Sequence, residues 1–119
     1  MPSIQSHITR FIIRKLVAPK VLNAELPISQ QRKKMDNIQK YAIKLRGIKL
    51  EEVSIHGIDG LWITPKQHDN NRVILYLHGG GYNIGSINSH KEMAARLAKA
   101  SHAKLLLIYY RMAPEFPYP

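Results

Sequence analysis

Residues 72–85 read RVILYLHGGGYNIG. Five apolar or aromatic side chains, 73–77, form the near-continuous run of a strand buried on both faces. His78 follows, then Gly79, Gly80 and Gly81. Three consecutive glycines lose much backbone entropy on folding, so their place at a strand end calls for a physical reason. The frame Gly81-Tyr82-Asn83-Ile84-Gly85 also copies the nucleophile elbow of serine hydrolases, Gly-x-Ser-x-Gly, with asparagine where the serine would stand.

Working outward, Ser89-His90-Lys91-Glu92 has the form of a capping box and predicts a helix with Met93, Leu97 and Ala100 on its buried face. Residues 105–110 read as a second fully buried strand. Strand, glycine turn, helix and strand make a right-handed parallel crossover, the opening of an α/β sheet. Upstream, 52–56 alternates, 57–60 supplies a turn and 61–64 resumes a strand before Pro65, which predicts an antiparallel hairpin. A polar loop, 66–71, joins the hairpin to the apolar run. Two helices precede it. The first spans 3–17, with Ile4, Ile8, Phe11, Ile12 and Leu16 on one face, and ends at Pro19. The second follows Ser29, with Met35, Ile38, Ala42 and Leu45 on one face and Gly47 as its stop.

The 119 residues suffice for one modest core. There is no cysteine, so disulfides and thiolate metal sites are excluded, and the six histidines lack paired metal-ligand spacing. The longest apolar run is far too short to span a bilayer, and Arg10 and Arg14 interrupt any signal-peptide core. A soluble, cytoplasmic protein is the expectation. The net charge of +10 is unevenly placed: residues 1–50 carry eleven Lys/Arg against Glu25 and Asp36, while the remainder carries seven bases and six acids. The chain therefore divides into a basic helical region, 1–49, and a nearly neutral α/β region, 50–119. The basic region is compatible with an acidic surface, lipid headgroups or nucleic acid, but no nucleic-acid motif or aromatic interleaving accompanies it.

Three readings of the glycine run compete. A phosphate cradle at a helix N-terminus needs Gly-x-Gly-x-x-Gly or Gly-Lys-Ser/Thr, and residues 79–84 end in Ile84 with no such lysine. A tight turn with nothing bound is the plain alternative. The third is an oxyanion hole, in which fixed backbone N–H groups converge on the oxygen that gains charge during acyl transfer.

A second motif bears on that choice. His78-Gly79-Gly80-Gly81-Tyr82, then Gly85-Ser86 and Ser89-His90, then Tyr110-Arg111-Met112-Ala113-Pro114-Glu115 with Pro117, resembles the hormone-sensitive-lipase group of α/β-hydrolase esterases over about residues 60–119. The resemblance implies an incomplete α/β-hydrolase fold, in which N-terminal cap helices precede the first strands of the central sheet. Its strand order resembles 1-2-4-3-5, which leaves 73–77 without a neighbour on one side. It implies that Gly80 and Gly81 donate N–H groups to the oxyanion, that Gly79 permits the turn, that His78 braces the loop and that Tyr82 supports it. Arg111 and Glu115 are implied to pair and shape the following loop, with a simple surface ion pair as the competing reading. Tyr109 stands where members often have aspartate, which removes one local hydrogen bond of the pattern.

No Gly-x-Ser-x-Gly occurs in the sequence. Asn83 cannot substitute, because an amide is not an activatable nucleophile of this kind. In this fold the triad follows in the order Ser, Asp/Glu, His, so nucleophile, acid and base are all expected beyond Pro119. The expectation is the N-terminal portion of a serine carboxylesterase or lipase acting on a small acyl ester. No cofactor or metal, no nucleic acid and no stable membrane insertion are expected, and the chain alone is expected to be inactive. A non-catalytic binding protein on the same fold, as in a plant hormone receptor, and a basic membrane- or nucleic-acid-binding piece stand as alternatives.

Overall fold

The structure is a computed structural model and describes residues 3–21, 23, 25–38 and 46–118. Among the described residues the basic region holds α1 (Ile4–Ile12), a wide π-helical turn (Ile13–Val17), α2 (Ala18–Val21) and α3 (Ile28–Ile38). Ser3 caps α1 by accepting the Ser6 N–H. Pro19 does not end the first helix as expected. The wider winding of 13–17 opens the backbone ahead of the proline ring, so the helical course runs on to Val21. The apolar face of this helix is real but uncovered: Ile4, Ile8, Phe11, Ile12 and Leu16 are all exposed. Of the second expected helix, Ala42 and Leu45 lie outside the described residues.

The α/β region comprises β1 (Ile48–Ile55), β2 (Ile58–Pro65), β3 (Asp69–Leu77), α4 (Ile87–Ser101) and β4 (Ala103–Ile108). They form one four-stranded sheet in the order β1-β2-β4-β3. Strands β1–β2 and β2–β4 pair antiparallel and β3–β4 parallel, so β3 is an edge strand, as its sequence resemblance implies. The hairpin turn is tighter than expected. His56 and Gly57 both take positive φ (51° and 79°), the pattern of a two-residue primed turn whose twist matches the strands. Gly60, expected in the turn, lies within β2. There a Cβ would press on the Leu107 carbonyl at 3.2 Å and on Leu106 at 3.3 Å.

Helix α4 crosses one face of the sheet. The core comprises Leu61 and Ile63 of β2, Leu105 and Leu107 of β4, and Ala94, Ala95 and Ala98 of α4, with Ile74 and Tyr76 of β3 packed against it. The expected helix face is corrected: Met93, Leu97 and Ala100 are exposed. Alanines meet the sheet instead because their small side chains let the helix backbone approach the branched residues of two strands closely. The full burial expected for 73–77 is also corrected. Ile74 and Tyr76 face α4, whereas Val73, Leu75 and Leu77 project from the opposite face and are each about three-fifths exposed.

Candidate active site

The crossover from β3 to α4 carries the glycines. Gly80 (φ 134°), Gly81 (φ 61°) and Tyr82 (φ 61°) turn the chain, and the N–H groups of Asn83 and Ile84 both reach the Gly80 carbonyl, at 3.2 and 3.1 Å. A Cβ on Gly80 would overlap the Ile84 carbonyl oxygen, so that position admits no side chain. Gly81 needs glycine for its dihedral alone, since a Cβ there would meet nothing. Gly79 differs from expectation: its φ is not positive and a Cβ on it would meet nothing, so Gly80 and Gly81 make the turn without it. Gly85 (φ 99°) closes the loop where a Cβ would strike the Gly79 carbonyl and stand 2.7 Å from His78 Nδ1. Among the described residues, no acceptor meets the N–H groups of Gly80 and Gly81. They border a pocket of about 380 Å³ lined by Leu77, His78, Gly79, Gly80, Gly81, Tyr82 and Tyr110. A larger one of about 780 Å³, lined in part by Tyr82, Tyr110, Phe116 and Tyr118, adjoins it.

His78 is 2% exposed and lies in an aromatic stack, 4.4 Å from the Tyr110 ring and 5.3 Å from the His90 ring. Its Nδ1 is 3.1 Å from the Gly79 carbonyl, which can only accept, so Nδ1 carries the proton in that bond. Nε2 is buried without a partner among the described residues. The Tyr110 hydroxyl donates to the His78 carbonyl, and burial, with Tyr82 adding to it, pushes its ionisation above the ordinary phenol range. Burial first, and then the neighbouring His78, hold His90 below the usual imidazole range. Three rings thus fix the strand end from which the glycine loop departs.

The helix start departs from expectation. Ser86, not Ser89, caps α4: its Oγ accepts the Ser89 N–H at 3.1 Å and the Ser89 Oγ accepts the Ser86 N–H at 2.8 Å. Ser89 fills the role usually taken by glutamate in such a box. Glu92, its expected partner, instead pairs with Arg96 one turn on, at 2.9 Å. The Arg111–Glu115 pair is likewise corrected. Arg111 lies over Phe116, 5.7 Å from the ring centroid. Glu115 is held by Arg32 of α3 through two bonds of 2.8 and 2.9 Å. Those bonds, more than any other influence, set the Glu115 carboxyl below the usual carboxylate range and raise Arg32. The same guanidinium donates to the Asn83 and Ala113 carbonyls, each at 2.8 Å. One turn along α3, Asp36 accepts the Ser86 hydroxyl. Neither residue stood out in the sequence, where Arg32 opens a run of three bases that reads as a solvated face.

A family model described as an α/β-hydrolase fold matches residues 74–119, which hold the glycine loop, α4, β4 and the Tyr110–Glu115 motif. Those residues are thus similar to the α/β-hydrolase fold, and the chain resembles hormone-sensitive-lipase-like esterases. It is 43% identical over 58 residues to an acetyl-hydrolase of Streptomyces hygroscopicus, covering 49% of this chain and 19% of that one. It is 35% identical over 79 residues to a carboxylesterase of Mycobacterium tuberculosis, covering 60% and 24%. Among solved structures, an esterase of the bacterial hormone-sensitive lipase family superposes with a TM-score of 0.78 at 29% identity, covering 100% of this chain and 39% of that one. An esterase/lipase from an uncultured bacterium gives 0.78 at 37% identity, covering 95% and 37%. The chain therefore spans about a fifth to two-fifths of the length of these relatives. Among its described residues no helix is long and apolar enough to cross a membrane, and no three His, Asp or Glu side chains gather as metal ligands.

Proposed function

We propose that this chain supplies the charge-stabilising part of a serine carboxylesterase active site. In that reaction a serine attacks the carbonyl carbon of a small acyl ester, a histidine takes the serine proton, and the carbonyl oxygen becomes an oxyanion. Gly80 and Gly81 donate their N–H groups to it, with His78 and Tyr82 supporting the loop. The observation that carries this reading is the pair of N–H groups at Gly80 and Gly81 that meet no acceptor among the described residues, in a backbone path that excludes a side chain at Gly80 and beside a pocket. Preorganised donors need no rearrangement as charge develops, and losing one costs on the order of 3 kcal/mol of transition-state stabilisation. Serine, acid and histidine would come from residues beyond Pro119, in the chain order this fold uses. The basic helices 1–49 would form part of a cap over the site.

The test is a chimera in which residues 1–119 replace the corresponding segment of the hormone-sensitive-lipase-family esterase, assayed with p-nitrophenyl acetate. The chimera is expected to hydrolyse the ester, while the 119-residue chain alone does not exceed the buffer rate. A folded chimera without turnover overturns the oxyanion-hole reading. Hydrolysis by the pure chain overturns its inactivity.

A further inference from the structure

We infer that Arg32 is a positioning residue that holds the oxyanion loop in place from outside the sheet. Its placement rests on the structure, and its consequence for catalysis rests on the oxyanion-hole reading above. The glycine loop is anchored on its β3 side by the ring stack around His78. On its far side the loop has one backbone hydrogen bond to the Tyr110–Glu115 segment, the Ala113 N–H donating to the Tyr82 carbonyl at 2.9 Å, and among the described residues no backbone N–H reaches the Asn83 carbonyl. Arg32 fills that gap. Nε donates to the Asn83 carbonyl, one terminal nitrogen to Glu115, and the other to both Glu115 and the Ala113 carbonyl.

A planar guanidinium presents its donors in a fixed fork, so satisfying a carboxylate and two carbonyls together fixes the relative position of all three. Lysine, a point charge on a flexible stem, cannot do so. Asp36, one turn along α3, takes the Ser86 hydroxyl and thereby ties the same helix to the cap of α4. The two side chains bracket the loop between Asn83 and Ser86. The Arg32 side chain is 21% exposed but that of Glu115 is 53% exposed, so the ion pair alone adds little and the hold on the loop rests on the fork's simultaneous bonds to both carbonyls. The basic region thus takes part in the site through α3, independently of any covering role of α1.

Residue-resolved amide hydrogen exchange on the dilute 119-residue chain tests this. In Arg32→Ala the Asn83, Ile84 and Ala113 amides are expected to exchange about tenfold faster while Leu105 and Leu107 are unchanged. Millimolar guanidinium is expected to restore the original rates, and Arg32→Lys to give intermediate ones. Acceleration spread evenly over loop and core, or none in the loop, overturns the proposal. Should Arg32→Ala fail to fold, Arg32→Lys decides alone: loop rates equal to those of the unsubstituted chain overturn it. In an active chimera, Arg32→Ala is expected to lower kcat about tenfold with KM little changed. An inactive chimera with the exchange pattern intact removes the oxyanion-hole reading and leaves the clamp standing.

Discussion

Gly80 and Gly81 are adjacent, yet they bear different physical demands. At Gly80 the dihedral (φ 134°) and the space both exclude a side chain, because a Cβ would overlap the Ile84 carbonyl. Alanine there has to move the turn that Asn83 and Ile84 close on the Gly80 oxygen. At Gly81 the space is open and only the left-handed dihedral (φ 61°) is unfavourable, a cost of about 1–2 kcal/mol. Gly80→Ala is therefore expected to destabilise the chain by about 3 kcal/mol or more, and Gly81→Ala by about 1 kcal/mol. Urea unfolding of both variants checks the ranking, and equal losses would mean that the loop relaxes freely around Gly80. The same distinction bears on Asn83. It lies on the far arm of the turn with its carbonyl held by Arg32, so its side chain occupies no nucleophile position and the match to Gly-x-Ser-x-Gly is one of spacing alone.

At the scale of elements, the sequence was most informative where periodicity and turn chemistry act locally. The hairpin, the crossover helix and the two strands flanking it are legible from alternation, from glycines and from apolar runs. What was not legible depends on partners distant in sequence. Helical spacing at Met93, Leu97 and Ala100 and at Ala94, Ala95 and Ala98 is equally good, and hydrophobicity favours the first set. Only the closeness of β2 and β4 selects the second. The Arg32–Glu115 pair joins residues 83 positions apart, and no local pattern marks it. Likewise, Ser89 resembles a cap as much as Ser86 does until the chain direction is fixed. The α4 face makes a clear prediction. Ala98 is fully buried against the sheet, so Ala98→Leu overpacks the interface and is expected to cost about 1–3 kcal/mol. Leu97 is 41% exposed, so Leu97→Gln is expected to change stability by no more than about 0.5 kcal/mol. Thermal unfolding of the two variants distinguishes this face from the one periodicity favours, for which the order of the losses would reverse.

At the scale of the whole molecule, the radius of gyration is 16.0 Å, against about 13.5 Å for a closed domain of this length. Helix α1, which buries no residue, stands off the sheet and accounts for the excess. Helix α4 covers one face of the sheet, and the other presents Val73, Leu75 and Leu77 beside the partly exposed Leu106 and Ile108. The same β3 strand forms the sheet edge, paired only with β4, so its outer backbone groups and its outward side chains are available together. An edge that is both apolar and unpaired is a template for association. Charge does not protect it, since the surplus of positive residues is concentrated in the front helices and Arg72 is tied to Asp69 at the strand's start. The isolated chain is therefore expected to self-associate at micromolar concentration. Leu75→Lys, which places a charge at the centre of the exposed row without touching the α4 face, is expected to shift it toward monomer while leaving its circular dichroism unchanged. Sedimentation velocity over a concentration series reads this directly. A monodisperse monomer before substitution would mean that the edge is already protected. Association unaffected by Leu75→Lys would move the contact to the exposed apolar face of α1, whose Ile4, Ile8 and Phe11 are the other large apolar row left uncovered.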